Sequence, residues 1–309
     1  MKRLRLPALV AVVVLTGSVC WTCAHWAGPV AGTSEGRFTH AGRERRYLAV
    51  IPEGPGPFPL VAALHGRLGS GAQMLKLSGL VPIAQRERFV LVAPDGVGRS
   101  WADGRNTSPA SKEGVDDVAF LVALVNEFVA THHVDPARVY AVGMSNGGFM
   151  ALTLACRAPD TFSAVGSVTG FMGTDFAKTC APTRPVPVML VAGDTDPIVP
   201  FAGGQLEGGR GHILGAEATF TTWRTLDGCE APLTVTALDD RVPDDGTTVE
   251  RREAIGCRGG VSVRLDVVKG GGHTWPRGDR YLPESVIGKT SQEFDASEAL
   301  WAFLAAFRR

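Results

Sequence analysis

Arg138-Val-Tyr-Ala-Val-Gly-Met-Ser-Asn-Gly147 is an apolar run that ends in two glycines around Met-Ser-Asn, and helix-like sequence follows from Asn146 to Ala158. A continuous apolar run closed by turn residues suits a strand buried on both faces. Gly143-Met-Ser145-Asn-Gly147 fits G-x-S-x-G, in which a sharp strand-to-helix turn exposes the serine hydroxyl. Larger side chains in place of the glycines would collide there. The turn also sets Ser145 at a helix N-terminus, where developing negative charge is favoured. The bare pattern is weak, and a capping serine in a Gly-rich turn would satisfy it. The strand before it and the helix after it carry the reading of Ser145 as a nucleophile.

The same strand-then-turn pattern recurs outward in both directions. Pro59-Leu-Val-Ala-Ala-Leu64 ends at His65-Gly66, Phe89-Val-Leu-Val-Ala93 at Pro94-Asp-Gly96, and Val186–Ala192 at Gly193. Arg46–Pro52 and Ser262–Val268 read as further strands, the latter ending at Gly270-Gly-Gly272. Between them, Asp116-Asp117 opens a helical stretch through Phe128 with apolar spacings of three and four. Ala216–Leu226 and Ser291–Phe307 read as helices too. Strands alternating with helices predict an α/β fold, with one doubly wound, mostly parallel sheet covered by helices on both faces. No Pro- or Ser-rich linker divides it. The irregular stretches Phe201–Gly215 and Arg277–Lys289 flank the expected site.

A serine hydroxyl needs a base to take its proton. Of seven histidines, His25 and His40 lie near the N-terminus, His132 and His133 end a helix, and His212 sits in a glycine-rich loop. His273 follows a buried strand and three glycines, which makes it the expected base. Asp194 and Asp196 both follow the Ala192 strand, and residue chemistry alone leaves open which of them orients the imidazole. The chain order serine, acid, histidine is that of α/β-hydrolases. An oxyanion hole is expected from the N–H of Asn146 and of Arg67, after Leu64-His-Gly66. His65 reads as a structural hydrogen-bonding residue.

The chain has 309 residues, 45% hydrophobic and 20% charged, with zero formal net charge. That is material for a sizeable core, and it offers no basic face for a nucleic-acid partner. Lys2, Arg3 and Arg5 precede the apolar Leu6–Leu15, so residues 1–24 read as a signal peptide, too short in its apolar run to span a membrane. Residues 25–40 read as a lead-in and 41–309 as the catalytic domain. The expected localisation is secreted, extracellular or periplasmic. A lipid anchor at Cys20 is disfavoured by the bulky Val19. Export makes the even set Cys156, Cys180, Cys229 and Cys257 a disulfide framework. Sequential pairing, Cys156 to Cys180 and Cys229 to Cys257, closes two short loops and is the expected one of three. No CxxC or His-x-His spacing suggests a metal, and no cofactor is expected.

These residues resemble the secreted polyhydroxybutyrate depolymerase and feruloyl esterase-type group of α/β-hydrolases, also called esterase D-like. The resemblance covers nearly everything after the leader. It rests on Ala62-Ala-Leu-His-Gly66, Pro94-Asp-Gly96 with Ser100-Trp101, Val115-Asp-Asp-Val118 and Gly143-Met-Ser-Asn-Gly-Gly148. Asp196-Pro-Ile-Val-Pro200 and, most specifically, Gly270-Gly-Gly-His-Thr-Trp-Pro276 complete it. Members carry His-Gly-Thr-x-Asp where this chain has Ala192 and Asp194 for the histidine and threonine, and the resemblance assigns the acid to Asp196. It also implies that Trp101 and Trp275 lie close to the site, as substrate contacts or as packing beneath the loops. The expected function is a serine carboxylic ester hydrolase acting through an acyl-enzyme on short-chain, hydroxyalkanoate-oligomer or hydroxycinnamoyl esters. The alternatives are a serine peptidase on the same fold and a catalytically silent cell-surface binding protein. Oligomeric state is not legible.

Overall fold

The computed structural model describes residues 30–309; the expected leader, Cys20 and Cys23 lie outside the described residues. In chain order the strands are β1 (Ser34–His40), β2 (Arg43–Val50), β3 (Phe58–Leu64), β4 (Val90–Pro94), β5 (Val134–Met144) and β6 (Ala164–Val168). They continue with β7 (Val188–Gly193), β8 (Gly203–Gln205), β9 (His212–Leu214), β10 (Thr234–Ala237), β11 (Thr248–Ala254) and β12 (Val263–Lys269). The longer helices are α1 (Gly71–Ser78), α2 (Leu80–Glu87), α3 (Asp117–Thr131), α4 (Asn146–Arg157), α5 (Ala216–Leu226) and α6 (Ala296–Ala305).

One sheet runs in the order β1-β2-β4-β3-β5-β6-β7-β12-β11-β10. Its centre, from β4 to β12, is parallel throughout. An antiparallel pair closes each side. β3, β4 and β7 are buried at every position, as apolar runs without alternation require. Successive side chains of β5 point to opposite layers. Val139 and Ala141 pack with Phe120 and Leu124 of α3, Leu152 of α4 and Phe220 and Trp223 of α5. Tyr140 and Val142 pack with Leu75 of α1, Ile83 of α2 and Leu300 of α6. Each such Leu or Phe contributes roughly 1.5–3 kcal/mol by leaving water.

Disulfides pin two helix ends. Cys156 at the end of α4 is bonded to Cys180, and Cys229 just after α5 is bonded to Cys257. With sequence separations of 24 and 28, each restricts the unfolded chain by about 3–4 kcal/mol on the loop-closure estimate.

The structure adds to or departs from the sequence reading in several places, β6, α1 and α2 among them. Ser34–His40, expected in the lead-in, is the outermost strand β1. Residues 201–215 hold the small β8–β9 hairpin, which includes His212. The helix expected over Ser291–Phe307 spans only Ala296–Ala305, because Asp295 caps it by accepting the N–H groups of Ser297 and Glu298. Antiparallel β10 and β11 extend a sheet that was expected to end at β12.

Because β5, β7 and β12 are parallel, their C-terminal ends open on one edge of the sheet. Ser145 follows β5, Asp196 follows β7 and His273 follows β12. Crevices beyond the carboxyl ends of strands are where such sheets bind ligands.

Candidate active site

Ser145 sits between β5 and α4 at φ 55° and ψ −120°, a region that non-glycine residues avoid. The strain, of order 1–3 kcal/mol, persists because the surroundings fix both sides of the residue. Its N–H donates to Val168 O at 2.8 Å on β6, and its carbonyl accepts from Phe149 N at 2.9 Å. The turn closes only without side chains beside it. A Cβ on Gly143 would stand 2.2 Å from Gly147 O, and one on Gly147 would stand 2.0 Å from Leu64 O. The Ser145 hydroxyl makes no capping bond to its own helix. It is left for other work.

His273 is buried, at 3% exposure, and Asp196 at 7%. The imidazole Nδ1 lies 2.7 Å from Asp196 Oδ2. Asp196 Oδ1 accepts the N–H groups of Ile198 and Val199 at 2.7 and 2.8 Å, so both carboxylate oxygens are engaged. An ionised carboxylate only accepts, so Nδ1 carries the proton and Nε2 keeps its lone pair. The backbone of His273 is held as firmly: its N–H donates to Ile287 O at 2.6 Å, and its carbonyl accepts from the Tyr281 hydroxyl at 2.9 Å. The glycines before it serve close approach, since a Cβ on Gly193 would lie 2.4 Å from Gly271 O. Asp194 points elsewhere. Its Oδ1 accepts Gly270 N at 2.7 Å, and Lys269 stands 3.7 Å from its Oδ2.

The loop after β3 is set by His65, 1% exposed, whose Nε2 accepts Gly96 N at 2.9 Å and whose Nδ1 lies 2.7 Å from Gly66 O. Burial pushes this imidazole down to about 4, so it stays neutral and rigidly bonded at physiological pH. Arg67 follows on that loop. Asn146 opens α4, and its side chain bridges to the neighbouring loop: Oδ1 accepts Trp101 N at 2.8 Å, while Nδ2 donates to Trp101 O at 3.1 Å and Asp103 Oδ2 at 2.6 Å. Among the described residues, no hydrogen bond occupies the backbone N–H of Arg67 or of Asn146.

Trp101 and Trp275, candidate substrate contacts, are 0% and 1% exposed and lie beneath the loops. Their indole N–H groups are consumed inside, by His65 O at 2.9 Å and Ser297 Oγ at 3.0 Å. Neither presents a ring face to a ligand. Large rings beside glycine-rich loops fill the space those glycines leave.

A narrow cleft opens beside the serine. Ser145, Asn146 and Phe149 line it, together with Arg67, Arg105 and Arg210 from three different loops. Arg105 stacks over the Phe149 ring with 3.7 Å to its centroid and pairs with the buried Asp103, its Nε 3.1 Å from Oδ2. Arg210 comes from the β8–β9 turn, where its carbonyl accepts Thr107 Oγ1 at 3.1 Å and Arg105 Nη1 at 3.4 Å. Sequence reasoning missed Asp103, Arg105 and Tyr281, because each reaches the site by tertiary contact. Only the Trp101–Arg105 stretch of loop, so close to the Pro94-Asp-Gly96 turn, hinted at the first two.

A family model described as esterase PHB depolymerase matches residues 47–202. The chain is 33% identical over 279 residues to a putative esterase, NocK, of Nocardia uniformis, an alignment covering 85% of this chain and 80% of that protein. It is 29% identical over 224 residues to feruloyl esterase B of Piromyces equi, covering 70% of this chain but only 39% of the relative. Among solved structures, an acetyl xylan esterase from Aspergillus awamori superposes with a TM-score of 0.54 over 78% of this chain and 94% of its own. At 17% identity that likeness speaks for the α/β-hydrolase fold alone. Joined to the family match and to NocK, it leads to one assignment: the chain belongs to the esterase PHB depolymerase family and is a carboxylic ester hydrolase.

Proposed function

We propose that this protein is a secreted serine esterase that works through an acyl-enzyme on Ser145, with His273 as general base and Asp196 as the acid that orients it. The observation that carries the reading is the buried 2.7 Å contact between Asp196 Oδ2 and His273 Nδ1, which leaves Nε2 as an acceptor at the strand edge where Ser145 stands. Ser145 Oγ attacks the ester carbonyl carbon while its proton passes to His273 Nε2. Asp196 stabilises the imidazolium without taking its proton. The tetrahedral oxyanion is received by the N–H groups of Asn146 and Arg67, which have no internal partner to give up. The alcohol then departs with the proton from Nε2. Water then attacks the acyl carbon as its proton passes to Nε2; the bond from that carbon to Ser145 Oγ breaks, Nε2 returns the proton to Oγ, and the carboxylic acid leaves.

Short-chain, hydroxyalkanoate-oligomer or hydroxycinnamoyl esters suit the narrow cleft, in line with the feruloyl esterase and poly(3-hydroxybutyrate) depolymerase names among the relatives. The two disulfides support an exported protein. Among the described residues, no helix is long and apolar enough to cross a membrane.

A fluorophosphonate probe should label the protein stoichiometrically, and Ser145→Ala should lose both the label and turnover of para-nitrophenyl acetate, by at least about 10⁴-fold. Its Tm should stay near that of the parent, since the hydroxyl caps nothing. Retention of more than a few per cent of turnover would remove Ser145 from the nucleophile's place.

A further inference from the structure

The cleft beside Ser145 is lined by three arginines whose charges are only partly matched. Arg105 is neutralised by Asp103 behind it. Arg67 and Arg210 form no ion pair among the described residues. The charges of Glu207 and Asp196 act on Arg210 from a distance, but neither carboxylate pairs with it. Asp103 holds Arg105 and Asn146, and Asp196 holds His273. Glu207 meets Arg210 through its backbone carbonyl, which accepts Arg210 Nε at 2.7 Å. Burial first, and then the charges of Arg67 and Arg105, hold the Arg210 guanidinium below its usual range, against the weaker opposing pull of Glu207 and Asp196. Two cations facing one small space in a partly dry cleft repel each other, and an anion between them would relieve that repulsion.

Arg210 is also built in rather than loose. Its carbonyl is clamped by Thr107 and Arg105, and its Nε is bonded within the turn, which leaves the two terminal nitrogens as donors. A planar guanidinium suits a carboxylate in two-point contact.

Resting on the ester-hydrolase reading of Ser145, we propose that Arg210, with the Arg67 side chain opposite it, receives a free carboxylate on the substrate, so that the enzyme selects esters carrying an anionic group a few bonds from the scissile carbonyl. A half-ester of a dicarboxylic acid and a hydroxyacid oligomer ending in a free carboxylate share that chemistry.

The test compares the para-nitrophenyl monoester of adipic acid with its neutral counterpart, in which a primary amide replaces the free carboxylate. The protein should show kcat/KM about tenfold or more higher for the anionic ester, and the preference should fall with added salt. Arg210→Gln should bring the ratio near one, chiefly through KM of the anionic ester, while Arg210→Lys should keep part of it. Should Arg210→Gln fail to fold, the ratio and its salt dependence in the parent protein decide the matter. Equal rates on the two esters, or a preference unmoved by Arg210→Gln, would overturn the carboxylate site and leave the esterase reading standing. Hydrolysis of both esters by Ser145→Ala at the parental rate would overturn the esterase reading and this inference with it.

Discussion

Two walls of the proposed site are built on opposite terms. On the wall that carries His273, the donors and acceptors that set the ring are spoken for: Asp196 takes three N–H groups, and Tyr281 and Ile287 hold the histidine backbone. On the wall that carries Arg67, Asn146 and Arg210, backbone N–H groups and guanidinium nitrogens remain unspent. A buried polar group left unpaired costs about 1–3 kcal/mol, so the first wall gains order by satisfying itself. The second keeps its capacity for whatever binds. Rigidity and reception are thereby separated.

The sharpest break of this contrast lies within four residues. Asp196→Asn should turn an amide toward Nδ1, because the side-chain oxygen stays with Ile198 and Val199 N–H. The proton then moves to Nε2, and kcat should fall roughly 10⁴-fold, as tautomer loss does in a well-studied triad. Asp194→Asn disturbs only the Gly270 N–H contact and a long approach to Lys269, and should change kcat/KM by less than about threefold. Steady-state kinetics on para-nitrophenyl acetate settle the ranking, and the reverse order would hand the orienting role to Asp194.

Another buried acid shows what happens without such satisfaction. Asp227 is fully buried, accepts one N–H from Val186 at 3.0 Å, and leaves Oδ2 without a partner among the described residues. Burial pushes its carboxyl up to about 7, against the opposing pull of the Val186 N–H and the Arg258 and Arg184 charges. In the unfolded chain it titrates near the usual ~3.9. Its contribution to stability is therefore present below about pH 4 and lost as pH rises to about 7. Asp227→Asn should raise stability at about pH 8 by up to ~4 kcal/mol and change little near pH 4. Paired Tm measurements across that range check it; a gap that does not widen with pH would mean that Oδ2 finds a cation in solution.

The smallest effect sharpens the boundary itself. Asn146 belongs to both walls, with its N–H in the cleft and its amide tying Trp101 and Asp103. Asn146→Ala keeps the N–H but removes three hydrogen bonds, one to a carboxylate, and should cost about 2–3 kcal/mol in stability. Because that tether places the residue after Ser145, the proposed nucleophile, kcat should drop about tenfold as well. A lowered Tm with unchanged kcat would confine Asn146 to the scaffold.

How far the sequence could be read follows the same division. The buried parallel strands announce themselves as apolar runs ending in glycine, and Ser145 and His273 stand where such runs end. Strand β6 does not, since Ala-Val-Gly-Ser-Val is too short and small to stand out from a loop. β10, the edge strand, is exposed along Thr-Val-Thr-Ala, and β11 beside it, Thr-Val-Glu-Arg-Arg-Glu-Ala, buries only Val249 and Ala254, so neither carries a strong core signal. Residue type alone could not separate Asp194 from Asp196, because the choice depends on which backbone N–H groups the β7 turn aims inward. Nor could it tell whether Trp101 and Trp275 face a ligand or fill the space under a glycine turn. The open wall was the least legible part: Arg67, Arg105 and Arg210 meet only through tertiary contacts from loops far apart in sequence.

The contact between His273 and Asp196 joins residues 77 positions apart, whereas Trp101 docks on His65 across 36. Closing the longer loop costs more chain entropy, and nothing rewards it until β7 and β12 have paired. During refolding from denaturant with the disulfides intact, tryptophan burial should precede the return of ester cleavage. The enzyme's own turnover then times the pairing of β7 with β12.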